Sequence, residues 1–364
     1  RQMCIRDRDC TEFFKSGEEA FGSILKDLRS AEKFIFMEYF IIGSGVMLDQ
    51  ILDILKEKVK HGVVVRIIYD DFGSINAIPP HFIKEMESIG IQTRRFNPYK
   101  PMLSVIMNDR DHRKILVVDG RVAHTGGYNI ADEYINKKFR FGYWKDAGIR
   151  VEGECVNSFT TMFLEMWNYI NKDNAVHDEY LNPHNTFSQS EKSGFVQPFC
   201  DSPLEHDDVG ENLYVSIISR AKKYVYIFTP YLILGTELSH AMISAARSGV
   251  DVRIVVPKIP DKKLIYLQTK ANFRPLIESG VRIYLYTPGF IHSKCIVADD
   301  DTAIVGTCNL DFRSMYWNFE DFVYMYRTQC IGKIKEDAIE TFAVSEEVYE
   351  ESTNDISFAG RLLQ

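Results

Sequence analysis

Apolar segments of strand length alternate along the chain with segments of mixed polarity that suit helices. Residues 31–39 and 60–68 each end in an apolar stretch, and residues 221–231 and 247–255 repeat this order later in the chain. A glycine precedes the second of these stretches in each half. Alternating helices and strands are typical of an α/β protein, so we predict this fold class.

The clearest repeat is a block that aligns without a gap. Residues 111–134 read DHRKILVVDGRVAHTGGYNIADEY, and residues 291–314 read IHSKCIVADDDTAIVGTCNLDFRS. Each aligned pair is separated by the same 180 positions. The polar and glycine positions that the two copies share are His112 and His292, Lys114 and Lys294, Asp119 and Asp299, Gly126 and Gly306, and Asn129 and Asn309. A duplicated sequence predicts two similar halves, which we expect to pack together as a pseudo-dimer.

The polarity pattern also indicates where the halves begin and end. Residues 172–212 are rich in Asn, Asp and Ser and show no sustained periodicity, which is typical of a connecting segment. We therefore predict a first half over residues 9–171, a connecting segment over 172–212 and a second half over 213–350.

Composition narrows the class of protein further. The chain has 364 residues, of which 45% are hydrophobic and 26% charged, which is typical of a globular protein with a sizeable core. Its net charge of −8 argues against a DNA-coating protein, so nucleic acid is not an expected partner. The seven cysteines form no CxxC pair, and we interpret them as free thiols in a reducing compartment.

The longest apolar stretches are too short to cross a membrane. Glu38 interrupts the stretch at residues 34–42, and Thr229 and Pro230 interrupt the one at residues 224–234. Neither reaches the ~20 apolar residues of a spanning helix. We therefore predict no transmembrane segment in this chain.

The repeated block places a histidine and a lysine side by side in each half. Residues 114–118 and 294–298 are apolar and β-branched, as in buried strands. Residues i and i+2 of a strand share a face, so each histidine is expected to lie next to its lysine. Asp119 and Asp299 follow their histidines by seven positions, an odd number, so we expect them to face away and to stabilise local structure.

An imidazole beside an ammonium, supplied twice, suits chemistry on a phosphodiester. The lysine neutralises anionic oxygens, and the histidine acts as nucleophile or proton carrier. Asn129 and Asn309 follow the glycines of the block near predicted helix starts, where backbone amides also favour an anion. A duplicated fold can also keep its repeat for packing alone, but packing does not require a polar pair on an apolar strand in both copies. A metal site is disfavoured because each lysine would repel a cation, and neither HExxH nor a cysteine cluster is present.

Two carboxylates are candidates for orienting the histidines. Asp146 lies 34 positions after His112, and Glu320 lies 28 positions after His292. A carboxylate that accepts a hydrogen bond from imidazole Nδ1 fixes the tautomer and supports a positively charged ring. The residues alone leave open whether either carboxylate is instead an exposed surface charge.

The repeated HxKxxxxD pattern resembles the signature of the phospholipase D superfamily, and several strings resemble the bacterial cardiolipin synthases in particular. The strings that carry the resemblance are HRKILVVDGRVAHTGGYNIADEY, VDVRIVVPKIPD, YTPGFIHSK and VGTCNLDFRSMYWNFE. The resemblance implies that each half is an α/β/α sandwich and that both signatures meet in one site at the interface. It also implies a two-step phosphatidyl transfer through a phosphohistidine, without metal or other cofactor.

The resemblance further implies a role for each residue of the pattern. His112 is the expected nucleophile, and His292, backed by Glu320, is the expected general acid and later the base. Asp146 and Glu320 match the acidic residues that orient the two histidines. The residues expected to bind the phosphate oxygens are Lys114, Lys294, Asn129 and Asn309.

By the same resemblance, donor and acceptor are both phosphatidylglycerol, and the products are cardiolipin and glycerol. The expected location is the bacterial cell membrane, although the transmembrane helices with which such synthases usually begin are not present in this chain. The apolar run at residues 101–107, PMLSVIM, either rests on an anionic bilayer or packs into the core. The basic residues that flank this run are Arg94, Arg95, Lys100, Arg110 and Arg113. The alternatives left open are a hydrolase of the same superfamily, with water as acceptor, and a catalytically silent structural protein at the membrane.

Overall fold

The computed structural model describes residues 5–6, 10–98, 109–181, 194–205 and 207–350. The apolar run at residues 101–107 lies outside the described residues. The strands, numbered in chain order, are β1 (Ile5–Arg6), β2 (Cys10–Phe14), β3 (Phe34–Tyr39), β4 (Val64–Asp70), β5 (Gln92–Phe96), β6 (Arg110–Asp111), β7 (Lys114–Val118), β8 (Val122–Gly126), β9 (Tyr143–Lys145), β10 (Gly148–Glu152), β11 (Phe195–Asp201), β12 (Tyr224–Phe228), β13 (Asp251–Pro257), β14 (Arg282–Tyr286), β15 (Gly289–Ile291), β16 (Cys295–Ala298), β17 (Thr302–Gly306), β18 (Asn318–Tyr326) and β19 (Ser345–Val348).

The helices connect these strands and cover the sheets. They are α1 (Gly17–Arg29), α2 (Val46–Lys60), α3 (Asp71–Ser74), α4 (Phe82–Ser88), α5 (Val156–Asn171), α6 (Val209–Arg220), α7 (Thr236–Arg247), α8 (Lys263–Ala271), α9 (Phe273–Ile277), α10 (Phe312–Tyr316) and α11 (Cys330–Ala343). Short 3₁₀ helices lie at Asp132–Ile135 and Asp178–Tyr180.

Each half contributes one mixed sheet, and the two sheets repeat the same core arrangement. Among the described residues, the first sheet has the strand order β2-β10-β8-β7-β3-β4-β5, and the second has the order β1-β11-β18-β17-β16-β12-β13-β14-β19. The parallel set β3-β4-β5 of the first half corresponds to β12-β13-β14 of the second. The antiparallel set β7-β8-β10 corresponds to β16-β17-β18. The repeated sequence therefore folds into a repeated sheet.

Alternate residues of the central strands point into different layers, because side chains of a strand alternate between its two faces. In β3, Phe34 and Phe36 belong to a core between the two sheets, whereas Ile35 and Met37 belong to a core on the outer face of the first sheet. Both faces of this strand are covered, which explains why its sequence is an almost continuous apolar run.

The core between the sheets contains two long helices, α5 and α11. The Phe163 ring of α5 stacks on the Phe36 ring of β3 at 4.5 Å between centroids, and Ile334 of α11 is also buried in this core. Helices α1, α2 and α4 pack on the outer face of the first sheet, and α6, α7 and α9 pack on the outer face of the second. Each sheet is thus covered by helices on both faces, and the predicted α/β architecture of two similar, packed halves is confirmed.

The predicted connecting segment holds regular structure that the sequence pattern did not indicate. Strand β11 lies inside residues 172–212 and pairs antiparallel with β18, and α6 begins at Val209. Pro198 lies within β11, and a proline inside an apolar run argues against a strand because it removes a backbone donor. The half boundaries at residues 9–171 and 213–350 remain predictions. Across the residues described here, the longest apolar helices all fall short of what a membrane crossing requires.

Candidate active site

Each histidine of the repeated block is held against a strand of the other half. His112 follows β6, which pairs with β18, and the N–H of His112 donates to the carbonyl of Phe319 at 3.0 Å. His292 follows β15, which pairs with β9, and the N–H of His292 donates to the carbonyl of Lys145 at 2.7 Å. The chain segment before each signature therefore crosses to the opposite half.

This exchange decides which carboxylate meets which histidine. Nδ1 of His112 lies 2.9 Å from both carboxylate oxygens of Glu320, because Glu320 directly follows Phe319. Nδ1 of His292 lies 2.8 Å from Oδ2 of Asp146, because Asp146 directly follows Lys145. The pairing of His292 with Glu320 expected from the sequence is therefore wrong. Each half supplies the carboxylate for the histidine of the other.

Both lysines are buried behind the histidines. The Lys114 ammonium donates to the backbone carbonyl of His112. The Lys294 ammonium donates to the carbonyl of His292 at 2.5 Å and lies against its ring, 2.8 Å from Nδ1 and 2.9 Å from Nε2. The two ammonium groups thus lie directly below the imidazoles, although only Lys294 contacts a ring.

The histidines open into one shared cavity of about 930 Å³. His112 and His292 each retain 8% of their surface, so only an edge of each ring is accessible. The cavity wall draws on both halves, with Phe40 and Trp144 from the first and Tyr231 from the second. One phosphodiester bound here would contact both signatures.

Asn129 and Asn309 also line this cavity, and each is anchored to its own loop. The Asn129 amide accepts from the N–H of Ile41 at 3.0 Å and donates to the Tyr134 hydroxyl at 2.7 Å. The Asn309 amide donates to the Ser314 hydroxyl at 3.1 Å. A side-chain amide has two N–H groups, so Asn129 keeps one for a ligand after its bond to Tyr134. The Asn309 side chain also hydrogen-bonds to the Asp311 carboxylate.

Asp119 and Asp299 lie at the far ends of their strands and do not line the cavity. Asp119 adopts a left-handed backbone with φ 55°, and its carboxylate accepts from the N–H groups of Glu32, Lys33 and Phe34. The Asp299 carboxylate makes the equivalent bonds at the start of β12, accepting from Lys222, Lys223 and Tyr224. These carboxylates tie the turn after one strand to the start of its neighbour.

Burial and the carboxylates together set the protonation of the histidines. Burial lowers the pKa of His112 to about 4 and that of His292 to about 3, and this effect outweighs the opposing effects of Glu320 and Asp146. The pKa values of both carboxylates are lowered by their histidine partners despite burial. At neutral pH each ring is therefore neutral, with its proton on Nδ1 and a lone pair on Nε2.

The residues that hold the two carboxylates were not predicted from the sequence. The Thr307 hydroxyl donates to Glu320 at 2.5 Å, and the Asn318 amide donates to it at 3.1 Å. The Trp144 indole donates to Asp146 at 3.3 Å. The position of Thr307 in the first copy of the repeat is Gly127, where a Cβ would lie 2.0 Å from Oδ1 of Asp146. The difference between Gly127 and Thr307 at one aligned position of the repeat is the sequence feature that could have indicated both residues.

The described residues contain no group of three or more His, Cys, Asp and Glu side chains arranged to hold a metal ion. The chemistry that the arrangement offers is that of two neutral imidazoles facing one cavity. Each imidazole is backed by a carboxylate, and a buried ammonium lies beneath it.

Comparison with protein families gives one match that covers most of the chain. The family described as "Cardiolipin synthase, PLD-like domain" matches residues 24–167 and 214–342. These two ranges contain both copies of the repeated block, and they include strands β3–β10 and β12–β18.

Two longer relatives are similar to most of this chain. An uncharacterized protein of Streptococcus mutans serotype c is 49% identical over 92% of this chain and 72% of its own length. A cardiolipin synthase of Alkalihalophilus pseudofirmus is 38% identical over 96% of this chain and 67% of its own length. The chain thus spans about two thirds of the cardiolipin synthase that it matches.

A solved structure shows the same fold. The phosphatidylserine synthase of Haemophilus influenzae Rd KW20 superposes with a TM-score of 0.71 over 97% of this chain and 92% of that one, at 16% sequence identity. At this identity the likeness shows the fold alone, and it confirms the predicted duplicated α/β/α sandwich.

Proposed function

Since the chain belongs to the cardiolipin synthase family with phospholipase D-like domains, we propose that it is a phosphatidyltransferase that makes cardiolipin and glycerol from two phosphatidylglycerol molecules. The family resemblance predicted from the sequence is confirmed by the same matches. The observation that carries the proposal is the single cavity that receives both carboxylate-backed histidines.

In the first step, Nε2 of His112 attacks the phosphorus of the donor. The bond from phosphorus to the glycerol oxygen breaks on the opposite side, as in an in-line displacement. The bound phosphodiester brings a negative charge into the cavity, which raises the pKa of the facing imidazoles, and His292 takes up a proton as the donor binds. His292 passes this proton to the departing oxygen, so that glycerol leaves and a phosphatidyl group remains on His112.

In the second step, neutral His292 removes the proton from a hydroxyl of the second phosphatidylglycerol. The oxygen attacks phosphorus, the bond from phosphorus to Nε2 breaks, and cardiolipin forms. The phosphorylated ring carries a positive charge because Nδ1 keeps its proton, and Glu320 stabilises that charge at 2.9 Å. Asp146 does the same for protonated His292.

The nonbridging phosphate oxygens are bound by four groups in this proposal. Lys114 and Lys294 neutralise the charge that accumulates on them, and Asn129 and Asn309 donate amide N–H groups. The charge of a buried ammonium is worth more here than at a surface, since little water screens it.

The rim of the cavity supports action at an anionic membrane surface. The exposed Arg140 guanidinium lies 5.1 Å above the Phe141 ring, and that of Arg313, also exposed, lies 5.4 Å above the Trp317 ring. Phe72, Phe312 and Trp317 are 53%, 50% and 42% exposed. Basic residues beside accessible aromatic rings suit the headgroup layer of a bilayer that contains anionic lipids. We therefore propose that this rim faces the bacterial cell membrane, from which the lipid substrates enter.

We expect vesicles of phosphatidylglycerol incubated with the protein to yield cardiolipin and glycerol in equal amounts. Chromatography of the lipids, with an enzymatic assay of the released glycerol, measures both products. Phosphatidic acid as the sole lipid product would instead identify a hydrolase with water as the acceptor. A protein that leaves the vesicles unchanged, although folded, would identify the silent structural alternative.

We also expect the activity to survive exhaustive chelation. The two histidine-lysine pairs supply the nucleophile, the proton-transfer groups and the positive charge, so the proposed steps require no metal ion. The measurement is the initial rate of cardiolipin formation after dialysis against a chelator. Loss of this rate, followed by recovery on addition of one particular metal, would contradict the mechanism.

A further inference from the structure

The repeat relates the two histidine-lysine pairs and also the carboxylates of Asp146 and Glu320, but one further acidic residue near them has no acidic counterpart. Asp321 follows Glu320, whereas Ala147 follows Asp146. The strand register is the same in both halves, since the next residue along each strand pairs with the glycine of the repeated block. Asp321 and Ala147 therefore occupy equivalent positions, and only one of them carries a charge.

Asp321 reaches from the second half into the first. It is 0% exposed, and its Oδ1 accepts from the backbone N–H of Lys114 at 3.0 Å. Its Oδ2 accepts from the Thr125 hydroxyl at 2.5 Å. The carboxylate thus joins β18 to the start of β7 and to β8, directly beside the histidine-lysine pair.

Further buried charges lie on the same side of the site. Arg113 is held between Asp111, at 3.2 Å from its Nε, and Glu38, at 2.5 Å from its terminal nitrogen. All three side chains are buried. The equivalent residues of the second half are Ile291, Ser293 and Phe228. Asp111, Arg113 and Glu38 therefore have no charged counterparts at the equivalent positions of the second signature.

The contacts of the two lysines differ because Asp321 is present on one side and Ala147 on the other. Lys114 is tethered through its backbone to Asp321, and its ammonium bonds to the carbonyl of His112. Lys294 faces the ring of its own histidine at 2.9 Å from Nε2, and Ala147 offers no carboxylate to it.

The two ammonium groups also differ in the charged groups that face them. Those that face Lys114 and raise its pKa are Glu320, Asp321, Asp146 and Asp111. Those that face Lys294 are Asp146, Lys114, Glu320 and the Cys295 thiol. Burial is the main effect on both, and it lowers the pKa of Lys114 to about 8 and that of Lys294 to about 7.

Asp321 becomes ionised over the same pH range in which Lys114 would lose its proton. Burial raises the pKa of Asp321 to about 7, against the opposing effects of Thr125 and the backbone of Lys114. As the pH rises above neutrality, the carboxylate therefore becomes fully ionised and stabilises the charged form of the neighbouring ammonium.

We propose that Asp321 is a positioning residue that holds Lys114 in place and keeps its ammonium charged for the substrate phosphate, whereas Lys294, opposite Ala147, lacks this support. The inference rests on the proposed function in that the ligand is a phosphodiester. The two signatures then differ in function, because Lys114 stays protonated to a higher pH than Lys294.

The test compares the pH dependence of phosphodiester binding by the full chain and by Asp321→Asn. Dimethyl phosphate is a suitable probe, because its single negative charge does not change over the neutral and alkaline range. Raising the pH removes protons from the lysines, so affinity falls on the alkaline side. Asparagine keeps the size of the side chain but removes the charge, so we expect this fall to move to lower pH by about 1 unit. Asp27→Asn is the matched control, since Asp27 is a buried carboxylate bonded to His124 and Arg150, away from the cavity.

The inference would be overturned if the affinity for dimethyl phosphate fell at the same pH in Asp321→Asn as in the wild type. It would also be overturned if Asp27→Asn shifted this fall to lower pH by the same amount as Asp321→Asn. A general loss of affinity at every pH, without displacement, would also overturn it, because that result indicates a merely structural role. Failure of the proposed function is distinguishable, since it shows as absence of cardiolipin from phosphatidylglycerol vesicles while the binding profile stays measurable.

If Asp321→Asn does not fold, the wild-type protein decides the same question. Lysine side-chain NMR signals, assigned with Lys114→Arg and Lys294→Arg, give the titration of each ammonium. A higher midpoint for Lys114 supports the inference, and equal midpoints or the reverse order overturn it.

Discussion

Replacing His112 with alanine is expected to reduce cardiolipin formation by about 10⁴-fold or more, and His292→Ala is expected to have a comparable effect. In the proposed mechanism, His112 supplies the atom that bonds to phosphorus, and His292 supplies the proton for the departing oxygen. Removal of either leaves one step without its reacting group, so the double variant should be little worse than each single one. Initial rates with phosphatidylglycerol vesicles measure the loss.

His124→Ala is the matched control for this experiment. His124 is 0% exposed and bonds Asp27 at 2.7 Å, so it is also a buried imidazole paired with a carboxylate, but it lies outside the cavity. We expect the folded fraction of this variant to keep its activity. A loss of activity as large as that of His112→Ala would show that the effect arises from damage to the fold.

Trapping the covalent intermediate tests which histidine is the nucleophile and which is the general acid. A donor labelled in its phosphatidyl group, trapped during turnover and mapped by peptide, should leave the label on His112. Label on His292 would reverse the two roles. Label on neither residue, in a trap that captures a known phosphohistidine, would reject the covalent mechanism.

Replacing Glu320 with glutamine is expected to slow formation of the phosphatidyl-enzyme by about 10²- to 10⁴-fold, because the neutral amide no longer stabilises the positive ring of His112. Asp146→Asn should reduce overall turnover by a similar factor, but through His292 and hence through protonation of the leaving oxygen. The crossed pairing thus gives the two variants different defects.

An activated donor separates these defects. Phosphatidyl-4-nitrophenol carries a leaving group that departs without a proton, so its burst of nitrophenolate reports the first step alone. We expect the burst to be restored in Asp146→Asn and to remain slow in Glu320→Gln, with Asp27→Asn behaving as the wild type. Restoration in Glu320→Gln instead would indicate that each histidine works with the carboxylate of its own half.

Several features of the fold and the site follow from local patterns in the sequence. The apolar run of β3 predicts a strand covered on both faces, and the offset of 180 positions predicts that this strand has a counterpart in the second half. His112 and Lys114 are two residues apart, so an extended backbone places their side chains on the same face. The repeated pair therefore indicated phosphodiester chemistry before the tertiary structure was known.

The partner of each histidine could not be predicted in the same way. Glu320 lies 208 positions from His112 in sequence, and the short pairing of β6 with β18 brings them together. A two-residue strand carries no periodicity of its own, so the sequence does not indicate its partner. Proximity along the chain favoured pairing within one half, and that expectation was wrong.

The sequence pattern is sufficient to predict two related α/β halves, each with one histidine and one lysine that we assign to a phosphate. Spacing within one strand is a local property, since it depends only on the geometry of neighbouring residues. The tertiary structure alone decided that Glu320 serves His112, that Asp146 serves His292 and that Asp321 reaches Lys114. These contacts join residues of different halves, and they exist because packing of the two sheets around a shared core brings distant strands together.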